Sequence, residues 1–532
     1  MTIARWIPPV APTRQEQFLL KRLDRVRKLL GFLRLHRHEL FDDAFQDELA
    51  AMYRATGAGK PARPPAMMAM AMLVQGYLGM SDAEMIELTV VDLRVQMVLG
   101  CLGAEHPPFS QGALQEFRER LIAADLDRRV LERTVEVARA TKAFDPGKLP
   151  KTLRVAIDSS PLAGAGRVED TVNLLAHAAR NVVSCAAGLL GWSTEQVSRQ
   201  AGIPLLIPSS IKRALDIDWN DPVKQADAMR TLSRQLDALQ AWIARQLPAA
   251  LAQPPLKEQV ETLVQIRTQD LEPDPQGHGA RIREGVAPDR RVSITDQEMR
   301  HGRKSQSRRF NGFKRHIAAD VDRGLILACA MTPANRPEAE AMPALTHDLE
   351  RQGLAVDHLV IDRGYINSPL IDEVLGRRGQ IVCKPWTSRN GRLFPKSAFA
   401  LNIRDRTITC PAGQVQGFSY GTAVEFESDV CDRCAQRAQC TTAEPGHGRS
   451  VAIAENEPLQ QRLRKLIQTA PGRAALRERS MIEHKLAHIS QRQGNAARYL
   501  GLRKNTFDLR RASAIQNLET LHRSEVESRE AA

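Results

Sequence analysis

Val356-Asp357-His358-Leu359-Val360-Ile361-Asp362-Arg363-Gly364-Tyr365 is an apolar run that stops on an aspartate. Residues 356–361 read as a buried strand, short and rich in β-branched and aliphatic side chains. Asp362 closes it, and Gly364 permits a tight turn out of it. A second segment repeats the pattern: Leu153-Arg154-Val155-Ala156-Ile157-Asp158, followed by Ser159-Ser160-Pro161. Strand ends gather at one edge of a mixed sheet, so two aspartates distant in sequence can meet there. Acidic residues at strand ends also serve solubility and helix capping, and each Asp taken singly fits that role.

The surrounding sequence supplies the rest of such a sheet. Residues 312–321 and 325–332 read as strands joined by the turn Asp322-Arg323-Gly324. Residues 337–352 and 369–378 read as helices, and 380–384 as a short strand. Helices resume at Pro458, with strong segments at 473–491 and 505–522. The order is three strands, then helix and strand in alternation, which predicts an α/β fold with a mixed sheet flanked by helices. Residues 1–145 read as a separate all-helical domain, with a capping box at Ser81-Asp82-Ala83-Glu84 and a linker at 144–150. The core then falls into parts at 151–171, 291–385 and 458–525. It is interrupted by a helical insertion at 172–290, whose last stretch, 271–289, reads as loop, and by an irregular cysteine-containing insertion at 386–457. The stripe Leu232, Leu236, Leu239, Ile243, Leu247 reads as core and is too short for a coiled coil.

The 532 residues carry 75 Lys and Arg against 62 Asp and Glu, a net charge of +13, with a sequence pI of about 9.6. Two to four domains are expected from the length. The charge favours a polyanionic partner, nucleic acid or an acidic membrane surface, over a basic protein without one. No apolar run approaches the roughly 20 residues of a bilayer span, and the N-terminus lacks the apolar core of a secretory signal. A cytoplasmic protein with reduced thiols is expected, in which eight cysteines are not a disulfide framework.

A third carboxylate, Glu483, lies within a helical segment beside Ile482, Leu486 and Ile489, and on spacing alone is a solvated helix face. Chemistry gives a reason to group it with the aspartates. Phosphodiester cleavage needs an activated oxygen, an in-line path and a stabilised leaving oxygen, which two Mg²⁺ ions roughly 3.5–4 Å apart provide. Three converging carboxylates suit hard cations and, without them, repel one another.

In these motifs the sequence resembles the DDE transposases of bacterial insertion sequences, which have an RNase H-like core. Arg63 to Met68, Gly79 to Glu84 and Phe117-Arg118-Glu119-Arg120 are similar to their N-terminal helical domain. Arg154 to Ser160 looks like the strand of the first Asp. Phe310-Asn311-Gly312-Phe313-Lys314-Arg315-His316 looks like the "GYK-h" strand, and Thr332-Pro333-Ala334-Asn335 like the "TPAN" turn. Asp362-Arg363-Gly364-Tyr365 matches the second-Asp motif, and Arg479 with Glu483 matches "R-x3-E". Leu476 stands where the signature often has Tyr, and Ser490 where it often has Lys, positions associated with DNA contact.

The resemblance implies metal-dependent DNA cleavage that leaves a 3′-hydroxyl, which then attacks target DNA. Asp158, Asp362 and Glu483 would hold Mg²⁺ or Mn²⁺. Double-stranded DNA, as element ends and as target, is the implied partner, with at least a dimer formed on it and no membrane involved. A non-catalytic DNA-binding remnant or repressor is the alternative that Leu476 and Ser490 favour. Another RNase H-like nuclease is disfavoured by the length and the N-terminal helices.

Two basic regions are candidates for phosphate contact. The run 301–316 holds Arg303, Lys304, Arg308, Arg309, Lys314 and Arg315 with no acid. The second comprises Arg498, Arg503, Lys504, Arg510 and Arg511. Arg363, Tyr365 and Arg479 join these candidates from within the matching motifs. His301 and His316 read as ordinary polar residues. Cys410, Cys431, Cys434 and Cys440 have the spacing C-x20-C-x2-C-x5-C; a structural Zn²⁺ and unligated reduced thiols are both open readings. Cys101, Cys185, Cys329 and Cys383 read as small core residues.

Overall fold

The computed structural model describes residues 3–23, 26–53, 62–141, 144, 151–274, 280–305 and 307–531. The expected linker lies almost wholly outside them. Among the described residues six strands form the main sheet: β1 (Arg154–Ala163), β2 (Arg300–Arg303), β3 (Arg309–Asp320), β4 (Ile326–Pro333), β5 (His358–Ile361) and β6 (Gln380–Val382). β3 lies antiparallel to β1, while β1, β5 and β6 run parallel in that order. β2 pairs with the start of β3 and β4 with the remainder. The mixed α/β architecture matches the expectation; β2 was not anticipated.

Close approach explains one glycine. Gly312 sits at φ +149°, and a Cβ there would lie 2.2 Å from the Leu162 carbonyl oxygen on β1. At the hairpin turn Gly324 has φ +67°, as the Asp322-Arg323-Gly324 signal requires.

The N-terminal helices include α1 (Pro65–Leu78) and α2 (Leu126–Ala140). The Ser81 capping box is formed. Their buried residues and those of the sheet make one continuous apolar cluster, running from Trp6 to Leu521. The helical insertion has its own core: α3 (Thr171–Leu190) packs on α4 (Leu256–Asp270), with Leu232, Leu236, Leu239 and Ile243 of helix Pro222–Gln246 buried between. Its last stretch is a short hairpin, Leu271–Pro273 with Ala280–Ile282, rather than plain loop. The cysteine-containing insertion is also more regular than expected. Three-residue strands pair around Phe399, Ile408, Phe418, Val424 and Phe426.

Two helices close the chain. The expected segment 473–491 is broken at Glu478-Arg479, so Glu483 lies in the first turn of α5 (Ser480–Gln493), not mid-helix. α6 (Leu502–Glu530) is buried from Phe507 through Leu521 on nearly every face, as befits a helix enclosed by others. It lies against α1, α2 and β4. No single helix among the described residues is long and apolar enough to cross a membrane. A bent pair, Thr171–Leu190 with Thr194–Gln200, passes by length and composition, and its apolar side chains are buried in the insertion core.

Candidate active site

Asp158 does not end β1; the strand continues to Ala163, paired with β3 throughout. What ends is its other neighbour. The parallel pairing with β5 stops at Ile157–Ile361, so the sheet splits at Asp158. Asp362, one residue past β5, sits on the other side of the split. The Asp158 carboxylate accepts the Ser159 amide at 2.8 Å, and that of Asp362 accepts the Arg363 amide at 2.7 Å. α5 crosses this edge with Glu483 in its N-terminal turn, where the helix dipole favours a negative charge.

The three acids meet around one side chain. Arg479, immediately before α5, places Nη2 3.0 Å from Glu483 Oε1 and Nη1 3.1 Å from Asp362 Oδ1. Its Nη2 is 3.8 Å from Asp158 Oδ2. Burial raises the Asp158 pKa, and Asp362 and Glu483 raise it further, against the pull of the Ser159 amide and Arg479. Burial acts to lower the Arg479 pKa, but the carboxylates outweigh it and hold the guanidinium charged. The acids line an open cavity of about 400 Å³ together with Ser159, Ser160, Lys314 and Glu338. Hard carboxylate oxygens in a polar, open cavity suit divalent cations and leave room for phosphate and water. As the side chains stand, no group of three or more His, Cys, Asp or Glu among the described residues is arranged to hold a metal ion.

Glu338 was not anticipated. It follows the Thr332 to Asn335 turn, and its Oε1 accepts from Lys314 Nζ at 2.9 Å, while Lys314 also donates to the Arg336 carbonyl at 2.7 Å. It also gives Gly364 a different reason from the tight turn. A Cβ on Gly364 would come within 2.7 Å of Glu338 Oε2. The place of Glu338 three residues after that turn was the available signal.

The other basic candidates separate by burial. Arg303 and Lys304 line the cavity mouth, and Arg308 and Arg309 are exposed on the same β2–β3 hairpin. Arg315 faces inward. It donates to Ser160 Oγ at 3.1 Å, the Pro161 carbonyl at 2.9 Å, Ser490 Oγ at 2.8 Å and the Gly494 carbonyl at 3.0 Å. Burial pushes its pKa down to about 10. It therefore ties α5 to β1 and is not a surface phosphate contact. Tyr365 is fully buried too. Its hydroxyl is 2.7 Å from His316 Nδ1, and His316 Nε2 is 2.9 Å from Thr332 Oγ1. Burial drives the His316 pKa down to about 3, so a neutral imidazole forms the floor beneath the Asp158 edge. Arg363 is half-buried beside Asp362.

The second basic region is largely internal. Arg503 pairs with Asp127 and, at 3.3 Å, with Asp125. Arg510 pairs with Asp125 at 2.7 Å and Asp127 at 3.2 Å, and Arg511 with Asp508 at 2.5 Å. Arg503 and Arg510 join α6 to the start of α2, whereas the Arg511 pair lies within α6. Arg498 and Lys504 remain exposed. Ser490, at the signature's Lys position, lines the cavity, but its hydroxyl is engaged by Arg315 and the Leu486 carbonyl.

Away from this edge, Cys410, Cys431, Cys434 and Cys440 line one small cavity. Cys410 Sγ accepts the Gln414 amide at 3.3 Å across a turn with Gly413 at φ +89°. Cys329 and Cys383 are buried, while Cys101 and Cys185 are half-buried. A larger cleft of about 620 Å³ flanks the opposite face of α5, lined by Arg154, Glu478, His484 and Lys485 among others. It lacks the convergent acids.

Two family models match the chain. Residues 276–518 match the model of the transposase DDE domain, and residues 21–120 match a transposase domain of otherwise undefined function. The first match begins after the helical insertion, so it includes Asp362 and Glu483 but not Asp158. Neither a search of curated proteins nor one of solved structures gives a match. Two transposase models in the expected order, over more than half of the chain, place it in a family: this protein belongs to the DDE transposases of insertion-sequence type.

Proposed function

We propose that this transposase cuts DNA at the ends of its mobile element and joins the freed 3′-hydroxyl to target DNA. The observation that carries the reading is the meeting of Asp158, Asp362 and Glu483 within 4 Å of one guanidinium, from β1, the end of β5 and the start of α5. Asp158 and Asp362 are the main ligands for Mg²⁺ or Mn²⁺, and Glu483 completes the set. Bound there, such cations activate an attacking oxygen and stabilise the leaving one. Arg303 and Lys304 at the mouth, with Arg308 and Arg309 beyond them, hold the duplex by its phosphates. The Arg315 contacts fix α5, and with it Glu483, against β1. Pairing two DNA ends calls for at least a dimer on DNA.

Inverted repeats flanking the gene supply the substrate. Wild-type protein with Mn²⁺ should nick such a fragment at the 3′ ends, and Asp362→Asn should lower the rate by about a thousandfold or more while duplex binding persists. Equal cleavage by the variant would remove Asp362 from the site. The second reading, a DNA-binding remnant, is favoured by Ser490, whose engaged hydroxyl leaves the cavity without the signature's cation. Repeat binding without any cleavage would select it.

We further propose that the four thiols, which share a cavity but do not stand in a metal-holding arrangement, close on one structural Zn²⁺ when it binds. Their shared cavity and the amide-to-sulfur bond at Cys410 support this, since such bonds stabilise a metal-bound thiolate. Purified protein should carry one zinc per chain, and Cys434→Ser should lose it together with the fold of residues 386–457.

A further inference from the structure

We propose that Arg479 is the resident counter-ion of the three carboxylates, and that it yields this place to divalent cations when a DNA phosphate takes over its guanidinium. The inference rests on the metal-site reading above and adds a coupling to it. One guanidinium lies 3.0, 3.1 and 3.8 Å from the three acids, filling the space that a shared cation needs. With the guanidinium among them, these acids are not arranged as a metal site.

The neighbouring cation cannot serve instead. Lys314 is held by Glu338 and the Arg336 carbonyl. Arg479, by contrast, stands at the break between helix Ala470–Arg477 and α5, on a long side chain whose hydrogen bond runs to the exposed Glu483. Its alternative partner is close by. The same cavity is lined by the exposed Arg303 and Lys304, positive charge that draws phosphate inward. Arginine forks onto phosphate with two parallel hydrogen bonds, at least as well as onto a carboxylate. In free protein, then, Arg479 and divalent cations compete for the same three acids, and bound DNA relieves the competition. Linkage makes the effect reciprocal: cations must tighten DNA binding by the same factor.

The test is Mn²⁺ binding by calorimetry and by thermal shift, with and without a short random-sequence duplex. It uses wild type, Arg479→Gln and Arg479→Lys, with Asp362→Asn to subtract binding elsewhere and circular dichroism to verify folding. Wild type should bind Mn²⁺ about tenfold more tightly with duplex present, inside the usual range for coupled sites. Arg479→Gln should bind about as tightly without duplex and gain little from it. Arg479→Lys, keeping a cation among the acids, should retain most of the duplex dependence. Wild type that binds Mn²⁺ equally well with and without duplex, or Arg479→Gln that binds no better than wild type, would overturn the coupling while leaving the metal site intact. Binding that Asp362→Asn does not reduce, in any background, would overturn the metal site itself.

Discussion

Two clusters in this protein gather arginine and three acids, with opposite characters; in the first, Arg503 and Arg128 share the acids of Arg510. Arg510 on α6 faces Asp125 and Asp127, with Asp348 at 3.7 Å. Arg479 faces Asp158, Asp362 and Glu483. In the first cluster the Asp127 and Asp348 side chains are 2% and 6% exposed; in the second, Asp362 and Glu483 are 49% and 57% exposed. Buried charges such as Asp127 and Asp348 must keep a partner, so this part of the first cluster is fixed and fastens α6, with Asp125 as its solvent-facing edge. Acids on a cavity wall can exchange one cation for another. Exposure, not composition, separates a fastening from a site.

The largest effect that can break this comparison comes from removing each arginine. Arg510→Ala removes a buried partner from Asp127 and Asp348, which keep Arg503 and Arg128, and should cost about 3 kcal/mol in urea unfolding, the low end for a broken buried pair. Arg479→Ala should cost under about 1 kcal/mol, because water and ions replace it. Equal losses would erase the distinction.

A smaller effect tests the floor under the exposed cluster. His316 has its pKa lowered to about 3 by burial, below the unfolded value near 6.5. The unfolded chain therefore binds the proton first, and stability falls as pH drops below about 6.5. At pH 5 this one group should account for about 2 kcal/mol of lost stability. Comparing the melting temperatures of wild type and His316→Gln from pH 7 to 5 checks this: the variant should show the shallower decline, and parallel curves would remove His316 as the cause.

The smallest effect concerns Asp158, whose pKa is raised, first by burial. A carboxyl with a raised folded pKa contributes stability that is present below its unfolded value and lost as pH rises through the folded one. At neutral pH its ionised form is a net cost in metal-free protein. Asp158→Asn should then melt slightly higher than wild type at pH 7 without added cation, with the gain vanishing in acid. A lower melting temperature would mean that the Arg479 contact outweighs burial.

The order of the acids was legible because local signals carry it: an apolar strand stopping on Asp362, its counterpart at Asp158, and Arg479 four residues before Glu483. The position of Asp158 inside its strand was not, because it depends on where a different strand, β5, stops. The helix break at Glu478-Arg479 was hidden for a similar reason, with no Gly or Pro to mark it. Strands of three residues in 400–452 are too short to show a period. Basic runs misled most. Sequence displays a charge but not its partner, so the buried Arg315 and Arg510 and the paired Arg503 looked the same as the exposed Arg308 and Arg309. Glu338 escaped for the same reason, since only the folded chain brings it against Lys314 and Gly364.

The placement of α6 has a consequence for biosynthesis. The Met-rich α1 leaves the ribosome early, whereas the helix that covers it is translated several hundred residues later, after Glu483. Until then the nascent chain exposes an apolar surface that invites chaperones and proteases. A chain stopped before α6 would keep that apolar surface of α1 uncovered.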